Sequence, residues 1–481
     1  MIEPHDSHDV TGREARAVLV SVQLPGVSDE ELGASLDELE RLAQTIGLRV
    51  VGRLTQRRPG TTTPVVLGAG KLKQLARLTG GTGCVPAGAT RRHKGAMPAE
   101  DPEADDDLEF GLELGVEPDD DGVDEDVPEP GAKPALATAV LFDHDLAPSQ
   151  LRNLERATGV QVLDRSSVIL AIFQRHARTR EARLQVEIAR LSYLAPRLRE
   201  APASGDRQQG GIGGKGAGES ALELDRRRIR DRIAQLRQEL RGVQRDAEVR
   251  RDRRSQLHTV ALVGYTNAGK SSLMRGLTAS DVLVEDQLFA TLSTATRALQ
   301  PPTQPRILVS DTVGFIKKLP HDLVASFRST LEEARTAALL LHVVDAADPA
   351  WRSQFQVTRE VLGELGAGET PSLVLLNKAD RLEDQDRDAL VAEMPGAHVM
   401  SALRPADVTA VRDQIVGFFE RDMLEAELFV AFRDQRLVHT IYQACRVLDE
   451  VHEEAGTRLR VRAPGPILEE LRDALAVAMG A

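Results

Sequence analysis

The segment that most constrains this chain is the apolar run His258–Val263, which feeds directly into Gly264-Tyr265-Thr266-Asn267-Ala268-Gly269-Lys270-Ser271. Behind it, Ser272-Leu273-Met274 opens a helical pattern. Buried strand, glycine loop and helix in that order are the frame of a phosphate-binding loop. Glycines let main-chain N–H groups turn inward around an anion, and the helix N-terminus adds its positive end. Within that frame Lys270 is expected to bridge the β- and γ-phosphates of a nucleotide, and the Ser271 hydroxyl to ligate Mg²⁺. The bland alternative is a glycine turn into a helix with no ligand, and the downstream sequence decides against it.

A second apolar strand, Ile307-Leu308-Val309-Ser310, ends in Asp311-Thr312-Val313-Gly314. Asp311 is set to hold the metal through water, and the Gly314 N–H to contact the γ-phosphate, whose loss would release the segment that follows. Between the two strands, Asp286-Gln287-Leu288-Phe289-Ala290-Thr291-Leu292-Ser293 supplies a candidate second hydroxyl ligand in Thr291. A lone Thr in a loop usually means nothing; this one gains weight from its place between the phosphate loop and Asp311.

The choice of base is written in Asn377-Lys378-Ala379-Asp380, at the end of the apolar strand Ser372–Leu376. A carboxylate at Asp380 can accept from both N1–H and the exocyclic amine of guanine. Adenine offers neither donor there, and leaving a charged acceptor unpaired costs ~1–3 kcal/mol or more. Asn377 would brace the loops and the Lys378 stem would cover the base. The turn Ser401-Ala402 can offer a backbone N–H to the guanine oxygen. GTP and GDP with Mg²⁺ are therefore the expected cofactors. The residues expected to carry the chemistry are Lys270, Thr291 and Gly314. Many GTPases follow the glycine with a glutamine that orients the attacking water. This chain has Phe315, which cannot hydrogen-bond water, so hydrolysis is expected to be slow unless a partner supplies the missing group.

At 481 residues the chain has room for two to four domains. Its net charge of -13 conceals a division: residues 100–130 hold 16 Asp or Glu and no Lys or Arg, leaving a net +3 for everything else. The acid-, Gly- and Pro-rich stretch 84–134 cannot bury enough surface to fold and reads as a disordered insertion. Residues 1–15 read as a tail with no secretory leader, no apolar run reaches membrane-spanning length, and two cysteines fit a reduced cytosolic protein.

Around the insertion, residues 16–175 read as an α/β domain, with strands near Ala17–Val22, Leu48–Leu54, Ala137–Phe142 and Val160–Leu163. Residues 176–256 read as two helices. Leu184, Ile188, Leu191 and Leu198 line the first; Ile229, Ile233, Leu236, Leu240 and Val243 line the second, and the two should pair antiparallel. Between them lies the loop Gly210-Gly211-Ile212-Gly213-Gly214-Lys215-Gly216-Ala217-Gly218. From Asp225 to Arg254 the second helix carries 12 Arg against 6 acidic residues. That density fits a solvated, ion-paired face as well as it fits contact with RNA. The nucleotide domain then covers 257–422. Residues 423–481 read as a small α/β domain, with a strand at Leu428–Phe432, a helix through Val438–Val451, a strand at Arg458–Val461 and a helix from Ile467.

The segments Gly264–Ser271, Asp286–Leu292 and Asp311–Ile316 closely resemble the HflX family of translation-factor-related GTPases. The likeness extends upstream to Gln150–Glu155, Val162–Arg165, Arg178–Glu181, Gly210–Glu219 and Leu222–Arg228. It leaves out residues 1–15 and the acidic insertion. The resemblance implies an N-terminal α/β domain, a helical hairpin whose glycine loop reaches ribosomal RNA, and a GTPase domain. It further implies binding to the large ribosomal subunit, hydrolysis stimulated by ribosomes, and the splitting or rescue of stalled ribosomes under stress. The chain departs from the family pattern where Ser293-Thr294 replaces Asp-Pro and where Ala217 replaces proline. Gly68-Ala69-Gly70-Lys71 matches a segment through which some members are described as using ATP. It lacks the metal-binding hydroxyl and the long glycine loop, and reads as a turn before a helix.

The expected architecture is thus α/β: a P-loop GTPase domain with an N-terminal α/β domain, an antiparallel helical hairpin and a small C-terminal α/β domain. The expected protein is a cytoplasmic monomer that partners the large ribosomal subunit and its RNA, with no DNA and no transmembrane segment. The alternative is a GTP-gated interaction protein in which hydrolysis is not essential. An RNA-remodelling ATPase fits poorly with Asp380.

Overall fold

The protein is described by a computed structural model over residues 15–85, 136–198, 221–252, 258–279, 288–289, 295–318, 328–421 and 423–480. The N-terminal tail, the acidic stretch 86–134 and the glycine loop 210–218 lie outside the described residues. The chain forms two compact units, 1–165 and 166–481.

The first unit is a parallel four-stranded sheet in the order β2-β1-β3-β4, made of β1 (Arg16–Gln23), β2 (Arg49–Arg57), β3 (Ala139–Phe142) and β4 (Gln161–Asp164). β1 is central and buried along nearly its whole length, as a parallel strand covered on both faces requires. Helix α1 (Asp29–Thr45) follows it and starts at a capping box: the Glu31 N–H donates to Ser28 Oγ at 3.1 Å and the Ser28 N–H to Glu31 Oε2 at 3.2 Å. Helix α2 (Ala69–Thr79) begins at Gly68, whose N–H donates to Gln56 Oε1 at 2.8 Å. Gly68 is thus the cap of this helix, and Ala69-Gly70-Lys71, read from the sequence as a turn before a helix, form its first turn. Helix α3 (Pro148–Thr158) completes the layers. At the carboxyl ends of β3 and β4 a buried ionic cluster forms. Arg165 pairs with Glu38 of α1 and, at 2.8 Å, with Asp143, which also accepts from Ser21 at 3.3 Å and Ser35 at 2.8 Å.

Arg165 opens helix α4 (Arg165–His176), which the sequence reading left unassigned after its strand at Val160–Leu163. In the second unit, helices α5 (Arg180–Leu194) and α6 (Ala221–Asp252) form the hairpin. Leu184, Ile188 and Leu191 meet Ile229, Ile233, Leu236, Leu240 and Val243 along one seam. Leu198 falls beyond α5, after a 3₁₀ turn at Ala195–Arg197 that Pro196 favours.

The nucleotide-domain sheet has six strands in the order β10-β9-β8-β5-β7-β6. They are β5 (His258–Gly264), β6 (Ala295–Ala298), β7 (Ile307–Asp311), β8 (Leu339–Asp345), β9 (Ser372–Asn377) and β10 (His398–Val399), all parallel but β6. β8 passed unread in the sequence, although Leu339–Val344 is almost wholly apolar; it sits beside β5 in the middle of the sheet. Helix α7 (Lys270–Thr278) and the helix Pro405–Glu420 cover one face, burying Leu273, Leu277, Val411 and Ile415 against Val260, Leu341 and Leu375. Each such side chain contributes ~1.5–3 kcal/mol on burial.

The last domain corrects the sequence reading. Its helix ends at Ala444, and Val447–Val451 belongs to a strand, β12 (Arg446–Glu453), instead of a helix running to Val451. β12 pairs antiparallel with β13 (Gly456–Pro464), which pairs in turn with β11 (Met423–Ala431). The acidic run Asp449-Glu450 carries no strong local preference, and ladder bonds to β13 across the short Glu454-Ala455 turn decide its state.

Candidate functional site

Parallel α/β sheets gather ligands at the carboxyl ends of their strands, and here those ends bring the sequence motifs together. The β5–α7 loop turns through Asn267 at φ +60° and Gly269 at φ +95°. A Cβ at Gly269 would lie 2.2 Å from Asn377 Nδ2, so the close approach of the loop that Asn377 opens admits only glycine. Lys270, the first residue of α7, is buried, and its Nζ donates to the carbonyls of Gly264 at 3.1 Å and Tyr265 at 2.8 Å. Burial lowers its pKa to about 8, opposed by the charge of Asp311.

Ser271 Oγ donates to Asp311 Oδ2 at 2.8 Å. Asp311 is fully buried, and next to it Thr312 Oγ1 donates to the Leu262 carbonyl at 2.6 Å, tying β7 to β5. A hydroxyl and a carboxylate converging beside an anion-binding loop are hard oxygen donors of the kind Mg²⁺ takes, so the residues fit that ion. Gly314 runs close under the phosphate loop: a Cβ there would meet Thr266 Cα at 2.8 Å and Lys270 Nζ at 3.0 Å. Val313, Phe315 and Ile316 are buried. Phe315 therefore presents no polar group and turns its ring inward.

Of the intervening loop, only Leu288 and Phe289 are described. Phe289 is buried at φ +59°, its ring edge-on to Phe173 of α4 with centroids 4.6 Å apart. Ala290, Thr291, Leu292 and Ser293 lie outside the described residues.

At the other end of the site Asn377 joins two loops. Its Nδ2 donates to the Ala268 carbonyl at 2.8 Å and its Oδ1 accepts from the Ala402 N–H at 2.8 Å. The Ala379 N–H donates to the Met400 carbonyl at 3.1 Å. Asp380 accepts from the Ser401 hydroxyl, which holds its carboxyl below the usual range despite slight desolvation; Arg381 and Arg404 add to the effect. The Ser401 N–H donates to Asp407 at 2.8 Å. Both amides of the Ser401-Ala402 turn are thus engaged within the protein.

Two residues of the site escaped the sequence reading. Lys378 adopts φ +65° and its Nζ pairs with Asp345 Oδ2 at 2.7 Å, both side chains largely buried. Asp345 closes β8 opposite Asn377, and Asp407 opens the helix after the Ser401 turn. A carboxylate ending an apolar run was the available signal for Asp345; Asp407 carried none.

Three family models match the chain. The model of the GTP-binding GTPase N-terminal family matches residues 33–84 and 131–174, that of the GTP-binding GTPase middle region 176–254, and that of the 50S ribosome-binding GTPases 259–378. A GTPase HflX of Gluconacetobacter diazotrophicus is 54% identical, covering 96% of this chain and 98% of its own. One from Caldanaerobacter subterraneus is 35% identical over 95% and 93%. One from Escherichia coli is 42% identical over 68% and 78%. A crystal structure of a GTP-binding protein from Sulfolobus solfataricus in complex with GDP aligns with 84% of this chain and 98% of its own, at 22% identity and a TM-score of 0.40.

Proposed function

Because the chain belongs to the HflX family and is a GTPase that binds GTP and GDP, we propose that it acts on the large ribosomal subunit. There it splits or rescues stalled ribosomes under stress, with hydrolysis stimulated by the ribosome. The observation that carries the reading is α6. Arg237, Arg241 and Arg245 are exposed on it and make no ion pair among the described residues, while Arg228 and Arg232 pair with Asp225 and Glu187. Helix stabilisation accounts for the second pair of arginines and not for the first three. A run of unneutralised guanidinium groups is what a phosphate backbone attracts. The description of the matched family, 50S ribosome-binding GTPase, supports the same partner.

In this reading Gly264–Ser271 cradle the phosphates, and Lys270 sits against the β- and γ-groups. Ser271 and Thr291 would hold Mg²⁺, with Asp311 behind them, and the ion would supply charge neutralisation at the phosphates. Gly314 donates its amide to the γ-phosphate, with Thr312 and Val313 fixing the strand end. Asn377–Asp380 read guanine together with Ser401 and Ala402. Phe289, Ala290, Thr291, Leu292 and Ser293 contribute to the nucleotide site. Phe315 orients no water, so the ribosome completes the site. The functional divisions are 16–175, 176–256, 257–422 and 423–481, and the protein is cytoplasmic. No helix among the described residues is long and apolar enough to cross a membrane.

The test is GTP turnover with and without purified large subunits, alongside co-sedimentation in a non-hydrolysable analogue. Stimulation and nucleotide-dependent pelleting are expected. Pelleting without stimulation would favour the alternative, a GTP-gated interaction protein with no essential hydrolysis. Neither would remove the ribosome from the account.

A further inference from the structure

We propose that Tyr265 is a positioning residue for GTP hydrolysis: its hydroxyl pins the loop after Asp311 to the phosphate loop and thereby fixes the Gly314 amide. The inference rests on the nucleotide reading above and adds a residue whose side chain that reading leaves unused.

Three bonds tie the two loops. The Phe315 N–H donates to the Gly264 carbonyl at 3.2 Å, and the Thr266 N–H donates to the Phe315 carbonyl at 2.8 Å, forming a parallel bridge between Tyr265 and Phe315. Two residues on, the Lys317 N–H donates to Tyr265 Oη at 2.6 Å. Tyr265 is only 5% exposed, and a buried phenol needs a partner for its oxygen. The first two bonds are main chain to main chain and any sequence can make them. The third needs tyrosine. Gly314 lies between the end of β7 and these bonds, one residue before Phe315 and close enough to the phosphate loop that a Cβ would clash with Thr266 Cα. Beyond it the chain turns at Lys318, φ +57°. The hydroxyl therefore clamps the far end of the segment whose near end is set by β7.

Only GTP has a γ-phosphate for Gly314 to meet. GDP is held by Lys270, Ser271, Asn377 and Asp380; of these only Lys270 meets Tyr265, at its main-chain carbonyl and not at the hydroxyl. Loosening the clamp should therefore separate the two nucleotides, whereas a general distortion of the phosphate loop would weaken both.

The experiment compares wild type and Tyr265→Phe in GDP affinity, affinity for a non-hydrolysable GTP analogue, and single-turnover hydrolysis. GDP affinity should stay within twofold. Analogue affinity and the hydrolysis rate should fall about three- to tenfold, as one hydrogen bond to a positioned loop predicts. Amide exchange at Lys317 in the GDP-bound protein should quicken in the variant. Equal losses for GDP and analogue, no loss for either, or an unprotected Lys317 amide in the wild type would each overturn the proposal. A wild type that binds neither nucleotide would instead sink the nucleotide reading itself, so the two failures are distinct.

Discussion

Replacing Asn377 with alanine should cost more than any other single truncation in the base-reading half of the site. Its side chain is 2% exposed and makes two bonds of 2.8 Å, one to the phosphate loop through Ala268 and one to the Ser401-Ala402 turn. Each bond is worth ~1 kcal/mol net, and each partner left unsatisfied in a buried place costs ~1–3 kcal/mol. Water can enter the gap and recover part of this, so a total of about 2–4 kcal/mol is expected, or roughly 30- to 900-fold in affinity. Because the residue couples loops rather than touching the γ-phosphate, GDP and GTP should weaken alike. Titration of a fluorescent GDP and of a GTP analogue measures this directly. Asn377→Asp, which keeps the acceptor and loses the donor, should fall between wild type and alanine. Affinities for Asn377→Ala within threefold of wild type for both nucleotides would refute the argument that this side chain carries the link.

Lys270 makes a pH prediction. With its pKa lowered to about 8 in the free protein, it is charged below that pH and neutral above it. Phosphates favour the charged form, so above pH 8 binding must take up a proton and affinity should fall toward tenfold per pH unit. Calorimetry in buffers of different ionisation enthalpy reads that uptake, and affinity flat from pH 7 to 9.5 would contradict it. In the first unit, Arg165→Met should strand Glu38 and Asp143 in the interior and destabilise that unit by ~3–5 kcal/mol, seen as an earlier denaturant midpoint; an unchanged midpoint would show the cluster adds nothing. Asp345→Asn and Lys378→Met should each weaken GDP binding, with the double variant no worse than either. The coupling energy should be about 1–2 kcal/mol, and strict additivity would mean the pair does not position the loop.

The site's residues were legible because its chemistry is local. A phosphate loop needs glycines, a lysine and a hydroxyl in consecutive positions after a strand, and Gly264–Ser271 carries all of them within eight residues. The seam between α5 and α6 was legible for the same reason, since Ile229–Val243 repeats its apolar residues within a few turns. Bonds between distant segments were not. Asp345 and Lys378 meet because β8 and β9 are neighbours in the sheet.

The sequence by itself determined the glycine loop after β5, the Asn377–Asp380 pattern and the apolar residue at Phe315, because each is a property of residue types in a short window. Only the tertiary structure decided that the amides of Ser401 and Ala402 are already taken, that Val447–Val451 is a strand, and that the Tyr265 hydroxyl meets the Lys317 amide. Those outcomes depend on which strands lie side by side. In the parallel sheet that order follows from long crossover connections whose packing no short window contains, and in the last domain β12 takes its state from the ladder with β13.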